Sequence, residues 1–282
     1  MKKLKKDSVQ IITTHYRKLT DSEKKVADFI VTHLVEAIKM SVQEIAVKSG
    51  VSAATPVRLA KHMGFDGFSD LKLYLASHAS PEEDIIIDMT DTSYTVTDAV
   101  EKVLIAEAES IKMTLKEMDC KKLSVASEKI KNAERILFFG CGSSHLVCLD
   151  AAHKYERVGK TVFCTDDIYK AIVMMSNFDK TDIIICISHS GETESVCKLL
   201  KLSAQLGIFS VCAATFPGSS VCDLASLVLY TQTRESPLHK VALTSRISQL
   251  ATMDALFMTY FTLDYKKCKK SLDNVSDTLE KL

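Results

Sequence analysis

Residues 181–193 read TDIIICISHSGET. Five apolar residues, Ile183 to Ile187, stop abruptly at Ser188, His189, Ser190, Gly191, Glu192 and Thr193. A short, continuous apolar run is the pattern of a parallel strand buried on both faces, and the polar residues after it open a helix. At the carboxyl end of such a strand, serine hydroxyls and backbone N–H groups converge on one point. The dipole of the following helix adds positive potential there, a combination suited to a phosphate.

The same texture repeats on both sides. Arg135–Phe139 reads as a strand followed by a helix over 144–158, and Thr161–Phe163 as a second strand followed by a helix near 167–175. After Ile183–Ile187 come a helix at 192–206, strands at Ile208–Ala213 and Leu227–Tyr230, and a final helix over 240–264. Strands alternating with helices of this length predict a parallel, doubly wound sheet of five strands. The first strand also ends in small residues, Gly140-Cys141-Gly142-Ser143-Ser144-His145. Gly-x-Gly after a strand lets backbone approach an anion, but the third glycine of the dinucleotide fingerprint is missing. A tight strand-to-helix turn explains the two glycines equally well.

Upstream, residues 1–78 read as an all-α domain. Thr20 and Glu23 form a capping box, and Val26, Phe29, Ile30 and Leu34 follow at helical spacing. Ser41 caps the next segment with Glu44, and Gly50 ends it as a left-handed cap. Ser52 can cap a third segment that runs to about Met63 and stops at Gly64. Helix, turn at Gly50, helix is the plan of a helix-turn-helix, whose second helix enters the major groove. Its outward candidates are Ser52, Ala53, Thr55, Arg58 and Lys61, with Val57, Leu59 and Ala60 facing inward. Arg58 suits guanine and Lys61 suits phosphate. A plain three-helix interaction module fits the periodicity as well.

Residues 79–95, with a proline and an acidic cluster, read as a linker, followed by a connecting helix from Val96 to Met118. The boundaries expected are therefore 1–78, 79–119 for linker and helix, 120–264 for the α/β domain, and a charged tail over 265–282 without an assigned element. Charge divides along the same line: residues 1–78 hold 13 basic side chains against 8 acidic, and the rest hold 23 against 28. A basic front on an acidic body points to a polyanionic partner of the front. All nine cysteines lie after residue 119, with no zinc-like spacing, and read as reduced core residues of a cytoplasmic protein. The N-terminus lacks the apolar core of a signal peptide, and no run reaches the ~18 apolar residues of a membrane span.

Two resemblances sharpen this. SEKKVADFI, MSVQEIA, SGVSAAT, VRLAKHMGF and GFSDLKL resemble the N-terminal domain of RpiR-type transcriptional regulators. Gly-Cys-Gly-Ser-Ser and Ser-His-Ser-Gly-Glu-Thr together resemble the SIS (sugar isomerase) domain over about residues 120–262. The second resemblance implies a flavodoxin-like αβα sandwich. It also implies a phosphosugar held by the hydroxyls of Ser188, Ser190 and Thr193 and the backbone of His189 and Gly191. Ser143 and Ser144 would face the sugar or the phosphate, and Ser219-Ser220 would close the rim. His145 and His189 either touch sugar hydroxyls or only cap and pack. Glu192, near the helix start, is expected to be satisfied by the helix dipole alone. Glu235 and Arg246 look like family positions near the ligand or a dimer seam. One departure is Pro56: with Ser52 as cap it lies four residues in, so the helix starts late or kinks.

Together the resemblances imply a regulator that binds double-stranded DNA at a palindromic operator, as a homodimer or dimer of dimers, under a phosphorylated sugar effector. They imply no cofactor, no metal, no membrane and no catalysis. The rival is a phosphosugar isomerase with an appended helical domain, in which a glutamate or histidine would move the proton. A phosphosugar-binding scaffold that has lost DNA is a third.

Overall fold

The computed structural model describes residues 11–12, 15–78, 94–233 and 241–281. Contacts divide the chain into two units, and the division falls inside the helix Val96–Glu117, between Ala106 and Glu107. It lies ahead of Cys120, where the sequence reading opens the second domain. Most of the expected linker and Glu235 lie outside the described residues.

The first unit contains helices α1 (Asp21–Thr32), α2 (Leu34–Lys39), α3 (Val42–Lys48), α4 (Ala54–His62) and α5 (Phe68–His78). Both expected capping boxes form: Thr20 N–H donates to Glu23 at 2.8 Å and Ser41 N–H to Glu44 at 2.7 Å. Their side chains accept in return from the third helical N–H, so two orphan donors are satisfied at each start. At the other end of α3, Gly50 has φ +63°. Gly50 N–H reaches Val47 O at 3.1 Å and Val51 N–H reaches Ala46 O at 2.9 Å, a Schellman pair that closes the helix. Val26, Ile30, Leu34, Ile45, Leu59, Leu71 and Leu75 form one core. The small side chains of Ala46 and Ala60 are buried, on α3 and α4 respectively.

Pro56 resolves in favour of a late start. Ala53, not Ser52, is the N-cap of α4, which places Pro56 in the first turn. The first N–H groups of a helix have no intrahelical partner, so the missing donor removes no bond.

The second unit starts within α6 (Val96–Glu117) and continues through α7 (Cys120–Asn132), β1 (Arg135–Gly140), α8 (Ser143–Arg157), β2 (Thr161–Thr165) and α9 (Ile168–Met175). Then follow β3 (Ile183–Ser188), α10 (Glu194–Leu206), β4 (Phe209–Ala214), α11 (Ser220–Leu224), β5 (Leu227–Tyr230), α12 (Thr244–Leu263) and α13 (Tyr265–Leu279). The five strands are parallel, in the order β2-β1-β3-β4-β5. Alternate residues of β3 enter different cores. Ile183, Ile185 and Ile187 join the layer of α7, α8 and α12, and Ile184 and Cys186 join that of α9 and α10. That is why the strand reads as an unbroken apolar run rather than an alternating one.

Two helices go beyond the sequence reading. α7 is capped by Asp119, whose carboxylate accepts from the N–H groups of Lys121 and Lys122. The charged tail is the helix α13, with Cys268 buried.

Candidate functional site

The strand order reverses between β1 and β3: from β1 the chain crosses to β2 on one side and then to β3 on the other. Such a switch point opens a crevice at the carboxyl ends of the strands. Gly140 pairs with Ile187, so the loops after β1 and β3 leave the sheet side by side. Cys141 Sγ, in the first of these loops, lies 3.2 Å from Ser195 Oγ in the first turn of α10, the helix that follows the second.

The loop after β3 is wired internally. Ser188, buried, accepts from Gly191 N–H at 3.1 Å and meets Thr193 Oγ1 at 3.0 Å. Thr193 is the N-cap of α10 but gives that helix no side-chain cap bond, so its hydroxyl serves Ser188 instead. Thr193 thus leaves the first-turn N–H groups of α10 without a side-chain bond from their N-cap residue, and free helix N–H groups of this kind are the ones that bind anions. Ser190 Oγ accepts from Glu192 N–H at 3.3 Å, and both Ser190 and Thr193 are half-buried.

Gly191 has φ +66°, and a Cβ placed on it would lie 2.0 Å from Ser219 Oγ. Glycine is required there both by conformation and by the close approach of the next loop. Val221 N–H donates to Gly191 O at 3.1 Å, which ties that loop down. Glu192 is not satisfied by a helix dipole alone. Its carboxylate accepts from Ser220 N–H at 2.9 Å and Ser220 Oγ at 2.6 Å, and so caps α11. Ser219 and Ser220 therefore adjoin the β3 loop.

Four side chains missed in the sequence, Thr215, Thr231, Phe216 and Gln249, complete this end of the sheet. His189 Nδ1 lies 3.0 Å from Thr215 Oγ1, which is 2.9 Å from Thr231 Oγ1. Phe216 meets the His189 ring edge-on at 5.3 Å. On the other side, Ser144 is buried with its Oγ donating to Gln249 Oε1 at 3.4 Å. Gln249 Nε2 and His145 Nδ1 are buried and have no hydrogen-bond partner among the described residues. Ser143 is half-buried at the start of α8, and Arg246 is half-buried in the first turns of α12. The signal for Gln249 was present: Thr244, Ser245, Ser248 and Gln249 are polar residues on the buried face of α12. Burial pushes the thiols of Cys148, Cys186 and Cys212 well above their ordinary pKa, so they stay protonated.

In the first unit, Ser52, Ala53, Arg58 and Lys61 are exposed around α4. Thr55 is a correction: expected to face outward, it is 1% exposed, with its Oγ1 3.0 Å from Ser52 Oγ. Thr55 lies four positions before the buried Leu59, so the two share the inward face of α4. Glu23 is 1% exposed at its side chain. Its Oε2 accepts from Thr20 N–H and Thr20 Oγ, while Oε1 lies 3.0 Å from His62 Nδ1 and 3.7 Å from Arg58 Nε. Burial alone would raise the pKa of this carboxyl, but the hydrogen bonds from Thr20 and His62 outweigh it and hold the group below its ordinary value.

Comparison with known proteins places both regions. Residues 6–82 match the family model for the helix-turn-helix domain of the rpiR family, and residues 129–259 match that for the SIS domain. An HTH-type transcriptional regulator of Thermotoga maritima is 31% identical over 273 residues, 96% of each chain. The HTH-type transcriptional regulator YbbH of Bacillus subtilis is 31% identical over 274 residues, again 96% of each. Among solved structures, Vibrio vulnificus NanR complexed with ManNAc-6P shares the fold at TM-score 0.62 and 24% identity, over 97% of this chain and 98% of that one.

Proposed function

Since this chain belongs to the rpiR family of helix-turn-helix transcriptional regulators with a SIS domain, we propose that a phosphorylated sugar bound in its SIS domain controls how tightly α4 engages DNA. The observation that carries this reading is the side-by-side exit of the β1 and β3 loops at the switch point of the sheet. The phosphate would lie over the first turn of α10, between Ser190, Thr193 and the backbone of His189 and Gly191, with Ser188 holding the turn in shape. Ser143, Ser144 and the unmatched groups of Gln249 and His145 would meet the sugar. Ser52, Ala53, Arg58 and Lys61 would face DNA. The working unit is a homodimer or a dimer of dimers in the cytoplasm, placing two α4 helices on the half-sites of a palindromic operator. Exposed Leu146 and Leu149 on α8 offer apolar surface for a second copy. A coupling of about 1–3 kcal/mol between sugar and DNA suffices for regulation.

The test is a thermal-shift panel of phosphosugars, the matching unphosphorylated sugars and inorganic phosphate, followed by DNA binding with and without any hit. The reading expects stabilisation by a phosphosugar alone and altered DNA affinity in its presence. No shift across the panel, or a shift that leaves DNA affinity unchanged, overturns it. Aldose–ketose conversion followed by NMR supplies the enzymatic arm, where turnover of roughly ten per second would establish an isomerase instead. His189 and Glu192, the titratable side chains of the β3 loop, are engaged by Thr215 and Ser220, which favours binding over proton transfer.

A further inference from the structure

Glu23 does more than cap a helix. A capping-box glutamate needs only to reach back to its N-cap, and such residues are commonly exposed, as Glu44 is in the second box. Glu23 is instead 1% exposed, and its two oxygens divide their partners. Oε2 takes both bonds from Thr20. Oε1 faces α4, where it meets His62 and the Nε edge of Arg58, two side chains one helical turn apart that are themselves 52% and 60% exposed. A buried anion thus lies directly behind the exposed arginine that is the candidate base reader.

We propose that Glu23 is a positioning residue for DNA reading: it holds the Arg58 guanidinium by its Nε edge, so that the terminal nitrogens are presented to a base as an oriented fork. This rests on Arg58 reading bases, as proposed above. The physical reason is entropic. A guanine takes arginine by two parallel bonds from the planar fork, and an arginine already held in one orientation loses less rotamer freedom on binding. Charge alone predicts the opposite effect, because an anion beneath a DNA-facing surface repels phosphates. Removing it should then tighten binding to every sequence. Positioning and simple electrostatics therefore differ in sign.

The experiment uses the full chain, a duplex selected by it from a randomised pool, and a scrambled duplex of the same length. Glu23→Gln is expected to weaken binding to the selected duplex while binding to the scrambled one holds or tightens. The ratio of the two affinities falls about tenfold, within the range of one bidentate base contact. In an Arg58→Ala background, which itself loses specific more than non-specific binding, Glu23→Gln changes that ratio less than about twofold. Thr20→Ala, which removes the cap hydroxyl but keeps the carboxylate, lowers Tm and leaves the ratio unchanged. An unaltered ratio in Glu23→Gln, an equal fall in both backgrounds, or a fall in Thr20→Ala matching that of Glu23→Gln overturns the proposal. A chain that selects no sequence from the pool removes the base-reading premise itself, a separate failure visible before any variant is made.

Discussion

The two ends of strands β1 and β3 solve opposite problems. At their amino ends, Asp182 is 1% exposed and uses both oxygens fully. Oδ1 accepts from Arg135 N–H at 3.0 Å and Nε at 2.9 Å, while Oδ2 accepts from Arg135 Nη2 at 2.6 Å and Asp179 N–H at 2.8 Å. At their carboxyl ends, neutral hydroxyls bond one another, Thr193 leaves its helix uncapped, and Gln249 and His145 keep unmatched polar atoms. The first end is saturated and contributes stability. The second retains hydrogen-bonding capacity, which the proposed ligand would use.

The contrast breaks most visibly at the saturated end. Asp182→Ala removes the buried acceptor of the Arg135 guanidinium, which keeps Asp179 at 3.7 Å, and should cost about 1.5–3 kcal/mol in urea unfolding; a loss below ~1 kcal/mol would show that the two ends do not differ as described. At the open end, Ser190→Ala with Thr193→Ala should lose little intrinsic stability, about 1 kcal/mol per bond. The pair should nonetheless abolish the roughly 2.7 kcal/mol of stabilisation that a phosphosugar at 100 times its Kd confers. An undiminished thermal shift in that variant would move the ligand elsewhere. Gly191→Ala tests whether the open end is shaped by backbone. The positive φ adds about 1–2 kcal/mol of strain, and Ser219 must move besides, so both Tm and ligand affinity should fall together. The smallest effect is expected away from the sheet. Pro56→Ala should destabilise by only about 0.4–1 kcal/mol, through greater freedom of the unfolded chain, with DNA binding intact; a gain in stability would mean that Pro56 strains α4 after all.

What was legible in the sequence was local. Ile183–Ile187 announced a doubly covered strand because five apolar residues in a row have no polar face to show. Thr20-Glu23, Ser41-Glu44 and Gly50 announced helix ends because caps act within a turn of themselves. α7 was passed over because its apolar residues, Leu123, Ala126 and Ile130, are few among lysines and serines. The tail was left unassigned because α13 is mostly exposed, with Cys268 its one buried side chain. Thr55 went to the wrong face because its hydroxyl suggested solvent, although it lies four positions before Leu59 and so shares that residue's inward face.

The sequence by itself determined the order of strands and helices, the stops between them, and the two hydroxyl-rich loops, since each depends on neighbours along the chain. Only the tertiary structure decided that Glu23 stands behind Arg58 and His62, that Thr215 holds His189, and that Gln249 reaches Ser144. These pairs are joined across 26 to 105 positions of sequence, the His62–Glu23 pair across 39. No periodicity encodes such a meeting; burial of two faces of one sheet and of one small helical core brings the partners together.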